Sequence, residues 1–185
     1  MPQMNDFEKK CYEIFEKENK EAIEGKDWER IAELFDKTID DEYRWILDHF
    51  RDVFVKEEMN FKAVEKTPLA TEDGWETFSY FFGVSGKETI FTAVDRYQGQ
   101  LPADLIPIGS IDGGNLLCRN RNNPSIYIWL HDQAGKNVYL AGKSLKDFVM
   151  GFQRNQDCAS CQKDLGVTGV RLSQELLNEL MGLGK

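Results

Sequence analysis

Three stretches in the first third of the chain have apolar residues at helical spacing, with charged residues between them. This pattern is typical of amphipathic helices that bury one face. The first helix is predicted to run from Asn5 toward Gly25, the second to begin at an Asp27 cap, and the third to follow Asp40 and Asp41. Their predicted buried faces are Phe7, Cys11, Ile14 and Phe15; Trp28, Ile31, Ala32, Leu34 and Phe35; and Tyr43, Ile46, Leu47, Phe50, Val53 and Phe54.

The middle of the chain, over residues 101–132, instead has short apolar runs separated by turn-forming residues. Residues 105–108, 116–118 and 126–130 are each predicted to form a buried strand, the last being rich in β-branched and aromatic residues. The Asp-Gly-Gly sequence at 112–114 favours a tight turn, because glycine reaches positive φ without steric cost. These segments predict an antiparallel meander, around which the other elements are organised.

The remaining segments are predicted from the same patterns: a polar connection over 56–74, a strand over 75–82, a helix over 89–97, a strand over 138–141 and a helix capped by Ser144. Together the elements predict an α+β fold, in which an antiparallel sheet of about four to six strands is flanked by helices. A chain of 185 residues is long enough for one sizeable core, so a single domain is expected.

Three motifs follow one another across the meander: Pro-Ile-Gly at 107–109, Gly-Asn at 114–115 and Trp-Leu-His-Asp at 129–132. In this order they resemble the SUKH superfamily, which contains bacterial toxin-immunity proteins and fungal cell-wall synthesis regulators. The resemblance covers residues 41–152 and implies the same α+β fold. It divides the chain into an N-terminal helical extension (1–40), a SUKH-like core (41–152) and a C-terminal tail with a short helix (153–185).

Acidic residues are concentrated near the N-terminus. The net charge is −9, and residues 1–60 carry 18 acids and 10 bases, whereas residues 61–185 carry 14 acids and 13 bases. A phosphate backbone repels such a surface, so direct nucleic-acid binding is disfavoured and a basic protein partner is favoured. The alternative is that the acids form ordinary solvated helix faces.

Neither a membrane span nor a secretory signal is predicted. No apolar run approaches the roughly 20 residues that cross a bilayer, and the first residues lack the apolar core of a signal peptide. Four cysteines in 185 residues are too few for a disulfide framework. We therefore expect a cytoplasmic protein with free thiols.

Two groups of residues are candidates for chemistry. Cys158 and Cys161 have the spacing of half a zinc site or of a redox pair, but a structural zinc site needs two further ligands. His131, Asp132 and Asp112 have the residue types of an acid–base site, without a nucleophile motif beside them. Surface thiols and turn-stabilising residues explain both groups, so no catalytic, cofactor or metal site is predicted.

The resemblance implies a non-enzymatic protein that binds and neutralises a cognate polymorphic toxin domain. An acidic N-terminal third suits a basic nuclease toxin, because complementary charge speeds association and excludes wrong partners. The alternative within the superfamily is an intracellular scaffold or regulator of cell-wall synthesis or signalling. The predicted partner-binding residues are acids and one aromatic pair: Glu42, Asp48, Asp52, Glu57, Glu58, Glu72, Asp73, Tyr127 and Trp129.

Overall fold

A computed structural model of the chain describes residues 4–16, 23–36, 39–50 and 53–154. These residues form five α-helices: α1 Asp6–Ile14, α2 Gly25–Leu34, α3 Asp41–His49, α4 Ile90–Arg96 and α5 Leu145–Met150. They also form eight strands: β1 Val53–Phe54, β2 Met59–Asn60, β3 Tyr80–Phe81, β4 Leu105–Ile111, β5 Asn115–Asn120, β6 Ile126–Trp129, β7 Val138–Gly142 and β8 Gln153–Arg154. The predicted α+β fold is confirmed.

Six strands form one antiparallel sheet in the order β1-β3-β4-β5-β6-β7, and β2 pairs separately with β8. The predicted meander is confirmed as β4 to β6, and the further strand predicted over 138–141 is β7. The first turn of the meander, over residues 112–114, places Gly113 and Gly114 at φ values of 77° and 81°, which glycine adopts most readily. The Asp112 carboxylate accepts hydrogen bonds from Ser79 at 2.6 Å and Thr77 at 3.3 Å, which ties the turn to the segment before β3.

The glycine of the Pro-Ile-Gly motif permits a close approach at the centre of the sheet. A Cβ on Gly109 would lie 2.7 Å from both Cζ of Phe78 and the carbonyl oxygen of Tyr80. Such distances are well inside van der Waals contact, so no larger residue fits here without displacing its neighbours.

Helices cover both faces of the sheet. On one face, Phe81 of β3 contacts the rings of Tyr43 in α3 and Phe148 in α5, at centroid distances of 6.5 and 6.4 Å. Register places Trp129 in the row of residues on the opposite face, since neighbouring positions of a strand alternate between faces. There the ring of Tyr97, which follows α4, packs edge-on against Trp129 at 5.7 Å.

The predicted end of the first helix is wrong. α1 ends at Ile14 rather than near Gly25, because Phe15 adopts an extended conformation and forms a bridge with Val55. Gly25 is instead the first residue of α2. Periodicity alone does not show where a chain leaves a helix to pair with a strand.

Two further predictions in this region are wrong. The N-cap position of α2 is Glu24, and Asp27, which we expected there, lies in the first turn. Val53 and Phe54, predicted on the apolar face of the third helix, form β1 and pair with β3. The backbone becomes extended at Phe50, the C-cap of α3. β-branched and aromatic residues are enriched in strands, and pairing with β3 outweighed the helical spacing here.

The predicted connection over 56–74 contains β2 and a closed loop. Phe61 and Glu76 exchange two backbone hydrogen bonds of 2.9 Å, so the chain between them leaves and returns at one point. We name residues 62–75 the strap. The strand predicted over 75–82 is shorter than expected, since the pairing of β3 is limited to Tyr80 and Phe81.

Both ends of α1 are capped by side chains. At the N-terminal end, Asn5 and Glu8 form a reciprocal capping box. At the other end, Nζ of Lys56 donates hydrogen bonds to the carbonyl oxygens of Tyr12 at 3.1 Å and Glu13 at 2.7 Å. A cation at this position satisfies carbonyls that lack helical partners and complements the helix dipole.

Candidate protein-interaction surface

A groove of about 470 Å³ lies where the N-terminal ends of α1 and α3 meet. Four of the residues that line it carry carboxylates and one carries an ammonium group. We name it the acidic groove. Its lining residues are Asn5, Asp6, Phe7, Glu8, Asp41, Glu42, Trp45 and Lys146.

The carboxylates of the groove lie in the first turns of α1 and α3. Negative charge is stabilising there because of the helix dipole and the free backbone N–H groups. Two of them have close partners: Glu8 accepts a hydrogen bond from the backbone of Asn5, and Asp6 pairs with Lys9 at 3.4 Å. Asp41 and Glu42 form no ion pair with another described residue, so their charge is directed to solvent and to whatever enters the groove.

The aromatic part of the groove is the half-buried side chain of Trp45. Its ring packs edge-on against Phe7 and Tyr12, both at 5.9 Å, and stacks on His49 at 4.1 Å. Nδ1 of His49 also lies 2.8 Å from the Trp45 carbonyl oxygen. These contacts fix the indole in place. A rigid aromatic ring bordered by carboxylates suits a lysine or arginine side chain, which gains both ionic and cation–π attraction.

An ion pair between the buried Arg119 and the partly buried Asp40 holds the start of α3 in position. The Arg119 guanidinium on β5 donates two hydrogen bonds to the carboxylate of Asp40, from Nε and, at 2.9 Å, from Nη2. A third, from Nη1, goes to the carbonyl oxygen of Asn120 at 2.8 Å. Asp40 occupies the N-cap position of α3 but makes no capping bond, because its carboxylate is committed to Arg119. The start of α3 is therefore fastened to the sheet.

Tyr43 lies one turn into α3 and is also buried. Its hydroxyl has no hydrogen-bond partner among the described residues. Burial raises the pKa of this phenol, while the nearby positive charge of Arg119 acts in the opposite direction. The hydroxyl stays neutral, and the guanidinium charge is balanced by Asp40.

Of the eight predicted partner-binding residues that the structure describes, one, Glu42, lines the groove. Asp48 is exposed further along α3, Glu57 and Glu58 lie in the turn between β1 and β2, and Glu72 and Asp73 lie in a turn of the strap. Asp52 lies outside the described residues. The acids outside the groove remain predicted contacts on three separate segments.

The structure buries Trp129, one of the two predicted aromatic partner contacts. Its side chain is 3% exposed, because Tyr97 beside α4 covers it. Tyr127, two residues earlier on the same face, is half-buried and remains a predicted contact. The alternation of side chains along β6 predicts its two faces. It does not predict that Tyr97, beside α4, covers Trp129 on one of them.

Sequence reasoning missed most of the groove. Asp6, Glu8, Asp41 and Trp45 were not predicted as site residues. One signal was present, since an Asn followed three residues later by Glu marks the start of a helix and places acids there. The two helix starts come together only in the folded chain, so no local sequence pattern predicts the groove.

The candidate acid–base residues form hydrogen bonds and ion pairs that stabilise the turns around them. Nε2 of His131 pairs with Asp132 at 2.9 Å, and the backbone N–H of His131 donates to Oδ1 of Asn115 at 3.3 Å. Asp112 is bonded to Ser79 and Thr77. Within the described ranges, no three His, Cys, Asp or Glu side chains are placed to hold a metal ion. Cys158 and Cys161 lie outside those ranges.

The fold and the groove define a class of protein: an α+β domain whose acidic surface suits a protein partner. The sequence matches the SMI1 / KNR4 family (SUKH-1) over residues 22–151, and the chain belongs to this family. The resemblance inferred from the meander motifs is thereby confirmed. The match also includes the residues of α2, upstream of the region in which we recognised the family.

A relative of the chain is the SPbeta prophage-derived uncharacterized protein YokK of Bacillus subtilis (strain 168). The two sequences are 27% identical over 122 residues, which is 64% of this chain and 63% of the relative. The similarity thus spans less than two thirds of the relative's length. In the part of the chain that the structure describes, no helix is long and apolar enough to cross a membrane.

Proposed function

We propose that this chain is a non-enzymatic immunity protein that binds a cognate protein toxin in the cytoplasm and blocks its activity. The observation that carries the proposal is the acidic groove, which is lined by four carboxylates, one ammonium group and a fixed indole. Membership of the SUKH-1 family supports it, since the wider superfamily includes toxin-immunity proteins.

The chemistry of the groove favours a toxin with a basic surface. A nuclease binds the phosphate backbone through arginine and lysine side chains, and these are the groups that the groove attracts. One such side chain can lie on Trp45 while its charge is neutralised by Asp41 and Glu42. Occupying the basic substrate-binding surface of the toxin would exclude nucleic acid from it.

Co-expression with the toxin domain encoded beside its gene tests this function. We expect cells to survive the toxin in the presence of this chain, and the two proteins to co-purify as one stoichiometric complex. Absence of both protection and co-purification would rule the proposal out. Recovery of several weakly bound partners instead would favour the alternative, a scaffold or regulator.

A charge reversal links the function to the groove. Glu42→Lys is expected to weaken protection, whereas Asp132→Lys, which makes the same charge change at an exposed position outside the groove lining, should not. Equal loss in both variants would show that overall net charge, not the groove, determines binding. Protection that persists in Glu42→Lys would place the contact on another acidic segment.

A further inference from the structure

The strap covers the free edge of the main sheet. β7 is the terminal strand, and two strap residues form hydrogen bonds with its outer edge at Leu140 and Ala141. The N–H of Val64 donates to the carbonyl oxygen of Ala141 at 3.2 Å, and that of Glu65 donates to the carbonyl oxygen of Leu140 at 2.8 Å. The Glu65 carboxylate accepts the Leu140 N–H at 2.8 Å. Exposed edges invite pairing with other chains, so this cover has a consequence for association.

The strap is held from inside by one buried polar contact. The hydroxyl of Thr67 donates to Oε2 of Glu76 at 2.9 Å and accepts the N–H of Leu69 at 3.1 Å. Both Thr67 and Glu76 are buried, whereas the apolar side chains of Val64 and Leu69 are 57% and 51% exposed. Burial of these two apolar side chains therefore contributes little, and the Thr67–Glu76 contact holds the strap from inside, in addition to the bonds between the strap and β7.

This contact is incomplete. Oε1 of Glu76 is buried and has no hydrogen-bond partner among the described residues. A buried carboxylate with one unpaired oxygen is costly when ionised and much less so when protonated. Burial accordingly raises the pKa of the Glu76 carboxyl, and the hydrogen bonds from Thr67 only partly oppose this.

The charged side chains around Glu76 are bonded elsewhere. Lys62 lies 4.4 Å from the centre of the Trp75 ring, Lys66 donates to the carbonyl oxygen of Glu72, and Glu65 pairs with Lys136 at 3.2 Å. On the neighbouring β8, Arg154 lies 4.0 Å from Glu58. The Glu72 and Asp73 carboxylates are exposed in a turn of the strap. Glu76 is the buried member of this group, whereas the other charged side chains are exposed or half-buried.

We propose that Glu76 is a pH-responsive latch that closes the strap over the edge of β7. The neutral carboxylic acid is compatible with the closed strap. Its ionised form is stabilised only when the strap opens and water reaches both oxygens.

The direction of the pH response follows from proton linkage. A carboxyl group whose pKa is raised in the closed state stabilises that state fully below its ordinary pKa of 4.5, and the stabilisation is lost as pH rises through the raised pKa. Opening therefore increases with pH, by at most about tenfold per pH unit for one group. An open strap uncovers the backbone groups of Leu140 and Ala141.

Hydrogen exchange measured residue by residue tests the latch in the full chain. We expect the protection of the Glu65 and Leu140 amides, corrected for intrinsic exchange, to fall as pH rises above the ordinary carboxyl pKa of 4.5, by at most about tenfold per pH unit. The amide of Leu117 on the central strand β5 serves as the internal reference and should not follow them. In Glu76→Gln, which keeps the shape without the charge, this pH dependence should disappear.

Two results would overturn the proposal. One is wild-type protection at Glu65 and Leu140 that does not change with pH relative to Leu117. The other is the same pH dependence in Glu76→Gln as in the wild type. Should Glu76→Gln fail to fold by circular dichroism, the wild-type comparison with Leu117 decides alone.

Discussion

Asp40 and Arg119 are 79 positions apart in the sequence, and their side chains form a partly buried ion pair between the start of α3 and strand β5. The guanidinium also lies 5.2 Å from the centre of the Phe35 ring, at the end of α2. The end of α2, the start of α3 and strand β5 therefore meet at the Arg119 guanidinium. Because Arg119 is only 4% exposed, its charge depends on Asp40 for compensation.

Removing only the acid of this pair should lower the free energy of unfolding more than removing both partners. Asp40→Ala leaves a buried, unpaired guanidinium and is expected to lower the free energy of unfolding by about 3–5 kcal/mol. The double variant Asp40→Ala/Arg119→Met should lose less than the sum of the two single variants. Urea unfolding of the four proteins measures this coupling, and strictly additive losses would mean that the pair is not coupled.

Gly109→Ala tests the close approach at the centre of the sheet. The added methyl group would overlap Phe78 and the Tyr80 carbonyl, so we expect a loss of about 1–3 kcal/mol or more in the free energy of unfolding. Gly25→Ala is the matched control, since nothing lies within 4 Å of its Cβ and alanine suits a helix. Thermal unfolding should show a lower midpoint for Gly109→Ala and an equal or higher midpoint for Gly25→Ala.

The acidic groove should act mainly on the rate of association. With a basic toxin as partner, Asp41→Lys/Glu42→Lys is expected to reduce the association rate by about tenfold at low salt, with a smaller difference at high salt. Stopped-flow binding at two ionic strengths measures both effects. A double variant that dissociates faster but associates at the wild-type rate would contradict long-range steering by the groove.

Glu65 gives the strap a pH response of opposite sign to that of Glu76. The Leu140 N–H and Lys136 lower the pKa of the Glu65 carboxyl. Its contribution is therefore present above the ordinary value of 4.5 and is lost as pH falls through the lowered pKa. In wild type, protection of the Leu140 amide should decrease in acid, and Glu65→Gln should remove that decrease. Unchanged acid behaviour in Glu65→Gln would exclude this carboxylate as the cause.

The two buried thiols should be unreactive in the folded protein. Burial raises the pKa of Cys11 to about 12 and raises that of Cys118 as well, and the thiolate is the reactive species. In a Cys158→Ser/Cys161→Ser background, an aromatic disulfide reagent should react with neither thiol until the chain is unfolded in urea, when two equivalents react. A rapid phase in native buffer would contradict the burial of these thiols.

The sequence predicted the elements that are specified locally. The meander from β4 to β7 is bounded by turn residues and filled with alternating or continuous apolar runs, and the helices at Ser144 and Thr89 begin at side chains that cap them. In these places local preference and tertiary structure agree. The family resemblance rests on motifs in the same segment, so the same residues predict both the fold class and the family.

Features that depend on distant contacts could not be read in this way. Val53 and Phe54 continue the apolar spacing of the third helix in the sequence, but in the structure they pair with β3. Asp40 stands at the start of a helix, but no residue near it in the sequence predicts that its carboxylate binds Arg119. The acidic groove arises where two helix starts meet, and Trp129 is hidden by a helix whose docking position is not encoded in the strand itself.

The double capping of α1 bears on the order in which the chain assembles. A nine-residue helix is too short to persist alone in water, and its final carbonyls are satisfied by Lys56, more than forty positions downstream. Lys56 is in place only when β1 has paired and Val55 has met Phe15. We therefore expect α1 to form late, and the acidic groove, which α1 helps to line, to form only once distant parts of the chain have met.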